Sequence, residues 1–265
     1  MSLNDPYVLR CVFVWCDASC QNRVFKVCKL WRSYYKWINP RQSYLKSIEH
    51  SNFTFAKQLL DWCGFDFLDD TVFVKSIVKN GEMNSYVMAM LDRGSVNPTI
   101  HWNCAIKASS EYGHFAIVDK LLQDSRTNPA ANFNFAIRYA SQNGHLDVVD
   151  RLLQHPRVDP SDNFWFHLPI TAACVSGNLP VVNRLLQDPR VDPSVDHNYA
   201  IIYASEHGNQ AVVERLLQDH RVDPSANDNS ALHVATQHGH TAIVALLERA
   251  INSRIQMAAP AAQTP

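Results

Sequence analysis

The chain has 265 residues, 46% of them apolar, and a formal net charge of −1. That composition can build a core and is too apolar for wholesale disorder. Gly81 and Gly94, the closest pair of eight glycines, are 13 residues apart, so the glycine-rich cradles of P-loop and dinucleotide-binding enzymes are excluded.

No apolar run approaches the length of a membrane span. The opening MSLNDPYVLRCVFVWC lacks a basic leader before its apolar stretch and a small-residue cleavage site after it, so a soluble, unsecreted protein is expected. Seven cysteines, an odd number spread over a chain of this length, do not suggest a disulfide framework. The expected setting is reducing and intracellular, cytoplasmic with the nucleus left open.

Charge divides the chain. Residues 1–62 hold nine Lys and Arg against four Asp and Glu, and the remainder fifteen against twenty-one, a basic head before an acidic body. The head, residues 1–39, alternates aromatics and cations at Lys29, Trp31, Arg32, Tyr34, Tyr35, Lys36 and Trp37. A nucleic-acid surface of this kind is usually more strongly charged, so a solvated helix face is the better reading. Of Cys11, Cys16, Cys20 and Cys28, one pair has a zinc-knuckle spacing, and no metal site is expected.

Two apolar clusters, Val8, Leu9, Val12, Phe13 and then Val24, Val27, Trp31, fit two short amphipathic helices. The opening Leu3, Asn4, Asp5, Pro6 with Leu9, and the ending Val27, Cys28, Lys29, Trp31, Arg32, resemble an F-box. That resemblance implies docking on a Skp-type adaptor of a cullin-RING ubiquitin ligase through Leu3, Asp5, Leu9, Val27 and Trp31. The match departs from the family in a shifted proline and a replaced centre. A plain helical cap over the first apolar repeat stands beside it as the alternative.

Residues 40–250 are periodic. Gly81, Gly113, Gly144, Gly177, Gly208 and Gly239 are spaced 32, 31, 33, 31 and 31 apart. Five copies are clear from Asn103 onward, and two looser ones precede them, about seven repeats in all. Each copy predicts two short helices. The first opens at Asn103, Asn134, Asn198 or Asn229, read as an N-cap accepting from a backbone N–H two or three residues on. It carries small residues at Ser109, Ala140, Ala173, Ala204 and Ala235, where a neighbouring helix must approach closely. Glycine ends it. The second helix bears one apolar stripe, such as Val148, Val149, Leu152, Leu153 or Val181, Val182, Leu185, Leu186. Leu153 and Leu186 are expected to be buried contacts between units, and Asp-Pro or Asn-Pro then turns the chain. One unit cannot cover both stripes, so neighbours complete its core.

This roughly 33-residue unit, with Ser230, Ala231, Leu232, His233 and Ala235 at its opening, a Gly-His junction and a Val-Val-x-x-Leu-Leu second helix, resembles the ankyrin repeat. The resemblance implies an all-α ankyrin-repeat solenoid of stacked helix-turn-helix units with a short helical N-terminal head. It implies a non-catalytic protein–protein interaction module whose concave face and loop tips hold protein partners. An Arg-Val-Asp-Pro turn replaces the family's glycine-containing hairpin, so short tips are expected. Arg126, Arg157, Arg190 and Arg221 recur and are read as turn scaffold.

Positions that vary between copies are the partner-binding candidates: Trp102, Tyr112, Phe133, Asn143, Phe164, Trp165, His197, His207 and His238. Trp102, Phe133 and Trp165 could form an aromatic stripe at neighbouring tips, or pack against the adjacent loop. The twelve histidines have no metal-ligand spacing. No nucleophile elbow or H-E-x-x-H occurs, so no catalytic residue, cofactor or enzyme activity is expected. Asp119, Asp147, Asp150 and Glu214 read as a solvated second-helix face. Residues 251–265 are expected to be a flexible tail.

Overall fold

A computed structural model describes residues 40–54, 56–57, 77, 81–94, 97–162 and 168–258. Among the described residues the chain is helical and contains no strand. It divides into two compact units, residues 1–76 with 85–96, and residues 77–84 with 97–265. The head and its Leu3, Asp5, Leu9, Val27 and Trp31 lie outside the described residues.

In the first unit, α1 spans Pro40–Glu49. Helix α2, Asn84–Arg93, buries Val87 and Met90.

The second unit is a stack of helix pairs. First helices are α3 (Ile100–Glu111), α5 (Ala131–Asn143), α7 (Pro169–Val175), α9 (Val195–Glu206) and α11 (Ala226–Gln237). The second helices, each packed on the one before it in sequence, are α4 (Phe115–Gln123), α6 (Leu146–Leu153), α8 (Leu179–Leu186), α10 (Gln210–Leu217) and α12 (Thr241–Ala258). Consecutive first helices pack far more extensively than consecutive second helices. The cause is in the side chains: Ala105 and Ser109, Ala136 and Ala140, Ala173, Ala204 and Ala235 all stand at these contacts buried to within 2% of complete. Val148, Val149, Leu152, Val181, Val182, Leu185, Val213 and Leu216 are fully buried under the second helices. Leu153 is buried, but Leu186 is only half-buried. The expected equivalence of Leu153 and Leu186 therefore fails, since only the first is buried.

The asparagines that open the first helices do something other than cap them. Asn103, Asn134, Asn198 and Asn229 have φ between +58 and +63°, a left-handed conformation that asparagine tolerates. None of these helices has a side-chain cap at its start. Instead the Asn103 side-chain oxygen accepts from the Asn128 N–H and that of Asn198 from the Asp223 N–H, both at 2.8 Å. Each ties the start of a repeat to the turn that closes it. In three copies the left-handed stretch covers three residues, 132–134, 196–198 and 227–229.

Those closing turns are built by side chains. The Asp159, Asp192 and Asp223 carboxylates each accept from the N–H and hydroxyl of the serine two residues on. Val158, Val191 and Val222 are buried beside them. Short tips result, as the missing hairpin glycine implied. Helix α12 continues to Ala258, past the expected start of the tail at 251. Arg254 holds this extension, donating to the Val222 carbonyl and to the Asp223 carboxylate.

Candidate functional site

Three ladders bind one repeat to the next, and the surface outside them is free to vary. In the first, the side chain after Gly144, Gly177, Gly208 and Gly239 reaches back to the end of the preceding first helix. His145 donates to the Glu111 carbonyl and His240 to that of Glu206, both at 3.0 Å. Asn178 donates to Ser141 and Gln142, and Asn209 to Cys174 and Val175.

The second ladder is the turn arginines. Arg190 grips Asp188 and donates to the Val158 and Leu153 carbonyls. Arg221 grips Asp219 and donates to Val191. Arg157, with His155 where the others have Asp, still reaches Ser125. The scaffold reading of these arginines holds. Their hydrogen bonds keep the Asp188 carboxyl below the usual range and that of Asp219 at about 2.

The third ladder joins second helices. Arg151 pairs with Asp119 at 2.6 Å, Arg184 with Asp150, and Arg215 with the Asn183 side-chain oxygen at 2.8 Å. Asp119 and Asp150 are thus ion-pair partners rather than a merely solvated face.

The sequence-predicted site residues fall at two opposite ends of the first helices. At the starts are Trp102, whose side chain is outside the described residues, Phe133, 49% exposed, and exposed His197. Phe133 and His197 both stand in the left-handed stretches. Phe164 and Trp165 lie outside the described residues, so Phe133 is the member of the aromatic stripe that can be placed. At the other ends, one residue before each glycine, are Tyr112, Asn143, His207 and His238. A helix of this length separates the rows by about 15 Å.

The second row is partly engaged by the scaffold. His207 and His238 donate from Nδ1 to the carbonyls of Tyr203 and Val234, both at 2.9 Å, and Asn143 donates to Glu111. The His238 ring stacks on His240 with centroids 6.1 Å apart. Burial, then the Glu111 and Cys104 charges, raise the Tyr112 phenol above its ordinary value.

Between the two rows lies a surface that the sequence reading passed over. Phe135 and Tyr139 meet edge to face with centroids 5.5 Å apart on α5, and Tyr199 and Tyr203 do the same at 5.6 Å on α9. Lys107 of α3 stands 5.0 Å from the Phe135 centroid and 5.2 Å from that of Tyr139. Arg138 stacks on Phe135 at 4.1 Å and lies 5.1 Å from the Tyr139 centroid. Cations over aromatic faces are attracted by the ring quadrupole. The copy between these aromatic helices has Leu168, Thr171 and Ala172 at the corresponding positions. The available signal was an aromatic pair four residues apart recurring in alternate copies, at positions that vary while the stripe beneath them does not.

Among the described residues no group of His, Cys, Asp or Glu could hold a metal ion, and no helix is long and apolar enough to cross a membrane. Cys174 is a free, buried thiol whose pKa burial pushes far upward, and Cys104 is free and half-buried.

No curated protein matches the chain. The family model described as "Ankyrin repeats (3 copies)" matches residues 105–194 and again 169–257, together more than half of the chain and the same residues that form the stacked helix pairs. The chain belongs to the ankyrin-repeat family and is built as a protein–protein interaction module.

Proposed function

We propose that this protein is a non-catalytic scaffold or adaptor that holds a protein partner on the outward face of its first helices. The observation that carries this reading is the aromatic surface of Phe135, Tyr139, Tyr199 and Tyr203. Partly exposed tyrosine and arginine supply large contact area at low entropic cost and dominate many interfaces. The recurring residues, by contrast, are occupied in holding the stack. Phe133 and His197 on one side, and Tyr112, Asn143, His207 and His238 on the other, flank this surface as its two rims.

A photo-cross-linking amino acid at Tyr139 or Tyr203 should capture the same partner from cells. The same group at Glu214, exposed on second helix α10, should not. Equal capture from both faces, or capture at Glu214 alone, overturns the assignment.

The finer reading, that residues 1–39 dock a Skp-type ligase adaptor while the array of residues 40–250 presents a target, rests on the F-box-like sequence. Free thiols at Cys104 and Cys174 accord with the intracellular setting such a role needs. Its test is co-purification of that adaptor with the full chain and with Leu9→Glu and Trp31→Ala variants. Loss in the variants supports it; no recovery by the folded wild-type chain makes the head a cap and the protein a plain scaffold.

A further inference from the structure

The surface between α3 and α5 has a charge character that narrows what it takes. Among the described residues, Arg138 is the one arginine between positions 97 and 258 without an oxygen partner. Arg126, Arg151, Arg157, Arg184, Arg190, Arg215, Arg221, Arg249 and Arg254 all donate to a carboxylate, an amide oxygen or a carbonyl. Arg138 and Lys107 instead rest against Phe135 and Tyr139. The rings fix both cations in place without neutralising them, and their N–H donors remain uncommitted. Held cations lose less freedom on meeting an anion than free ones do.

Lys107 and Arg138 occupy the same register in consecutive repeats, followed by Thr171, Ile202 and His233. One turn further along the same helices the register carries acid at Glu111 and Glu206. Glu111 makes no ion pair with Lys107, one turn away. Thr171 and Ile202 are buried, so the positive charge is confined to α3 and α5, with Glu111 one turn along from Lys107.

We infer that this face binds an acidic peptide segment of its partner, laid across the first helices with its carboxylates at Lys107 and Arg138 and an apolar side chain over Ala172. This inference rests on the reading that the face binds protein. It adds the chemistry of the ligand and the line it follows: along Lys107 and Arg138 and away from Glu111.

The test uses the full chain and a random peptide display library at near-physiological salt. Selected peptides should be enriched in Asp and Glu, and a selected peptide should bind Lys107→Gln/Arg138→Gln more weakly by about an order of magnitude, with affinity falling as salt rises. Glu111→Gln should tighten the same peptide by about twofold to fivefold. Both substitutions are at the surface, and an unchanged circular dichroism melt confirms that each variant folds.

Peptides without acidic enrichment, bound through Tyr139 and Tyr203, would overturn the inference and leave the protein-binding reading standing. Acidic peptides that ignore Lys107→Gln/Arg138→Gln would overturn it too. Binding of a single-stranded oligonucleotide through these cations in place of any peptide would replace it with nucleic-acid recognition. Failure of the wild-type chain to select any peptide would overturn both the inference and the reading beneath it.

Discussion

Replacing Gly208 and Gly239 by alanine separates two reasons for a glycine at the end of a first helix. Their φ values are +73° and +74°, so the backbone cost of a Cβ is the same at both, about 1–2 kcal/mol. The surroundings differ. A Cβ on Gly208 would stand 2.7 Å from His240 Cε1, whereas one on Gly239 would meet nothing within 4 Å. His240 cannot yield without lengthening its bond to the Glu206 carbonyl, now 3.0 Å, which adds about 1 kcal/mol. Gly239→Ala should therefore lower stability in urea by about 1–2 kcal/mol and Gly208→Ala by about 2–3 kcal/mol. In a His240→Ala background the two glycine changes should cost the same, a coupling of about 1 kcal/mol. Equal losses in the wild-type background, or a cycle that closes with no coupling, would refute the claim that the glycine makes room for the next repeat.

Leu185→Ala should cost about 2–5 kcal/mol and Leu186→Ala less than half as much, because only the first is fully buried; equal midpoints would contradict the burial pattern. Ser141 is wholly buried and its hydroxyl has no hydrogen-bond partner, while the corresponding residue of the next copy is Cys174. Ser141→Ala should raise the urea midpoint, by up to about 1 kcal/mol, and a clear loss would show that the hydroxyl is bonded in solution. Asp219 has its pKa lowered to about 2, first by the Arg221 hydrogen bond, below the roughly 3.9 of an unfolded chain. Its stabilisation is complete above pH 4 and is lost as pH falls through 2. Asp219→Asn should lower Tm at pH 7, and the gap to wild type should close toward pH 2; a gap constant with pH would remove the ion pair as its cause.

The repeat was legible because its determinants are local. A glycine every 31–33 residues, a two-valine, two-leucine stripe and a proline turn each act within a few residues, and the small residues Ala140, Ala173 and Ala204 lie where the stack closes. The roles that stayed hidden depend on contacts far along the chain. Asn103 matches an N-cap in sequence, but its partner is the N–H of Asn128, 25 residues on. Leu186 matches Leu153 in the stripe, yet only Leu153 is buried. Arg254 lies in a polar stretch that looks like a tail, and its value comes from the Val222 carbonyl, 32 residues earlier in the chain. The candidate surface was missed for a related reason. Family positions directed attention to the ends of the first helices, whereas Phe135, Arg138 and Tyr139 stand between them, and which flank faces outward follows only from how the neighbouring helices pack.

Repetition itself supplies the criterion that divides scaffold from surface. A side chain whose polar atoms reach the preceding unit must keep its identity or exchange with one that makes the same bond, as His145 and Asn178 do at the glycine junction. Arginine at the turn keeps its carbonyl contact even where its aspartate partner has become His155. A cation that has no such bond is released from this constraint. Lys107, Arg138, Thr171, Ile202 and His233 occupy one register with five different side chains, and the two cations among them contact rings instead of oxygens. Thr171 and Ile202 are buried, so stability leaves this register free to change where Lys107, Arg138 and His233 stand, and the cations of α3 and α5 with the aromatic residues of α5 and α9 are the part of the array available for recognition.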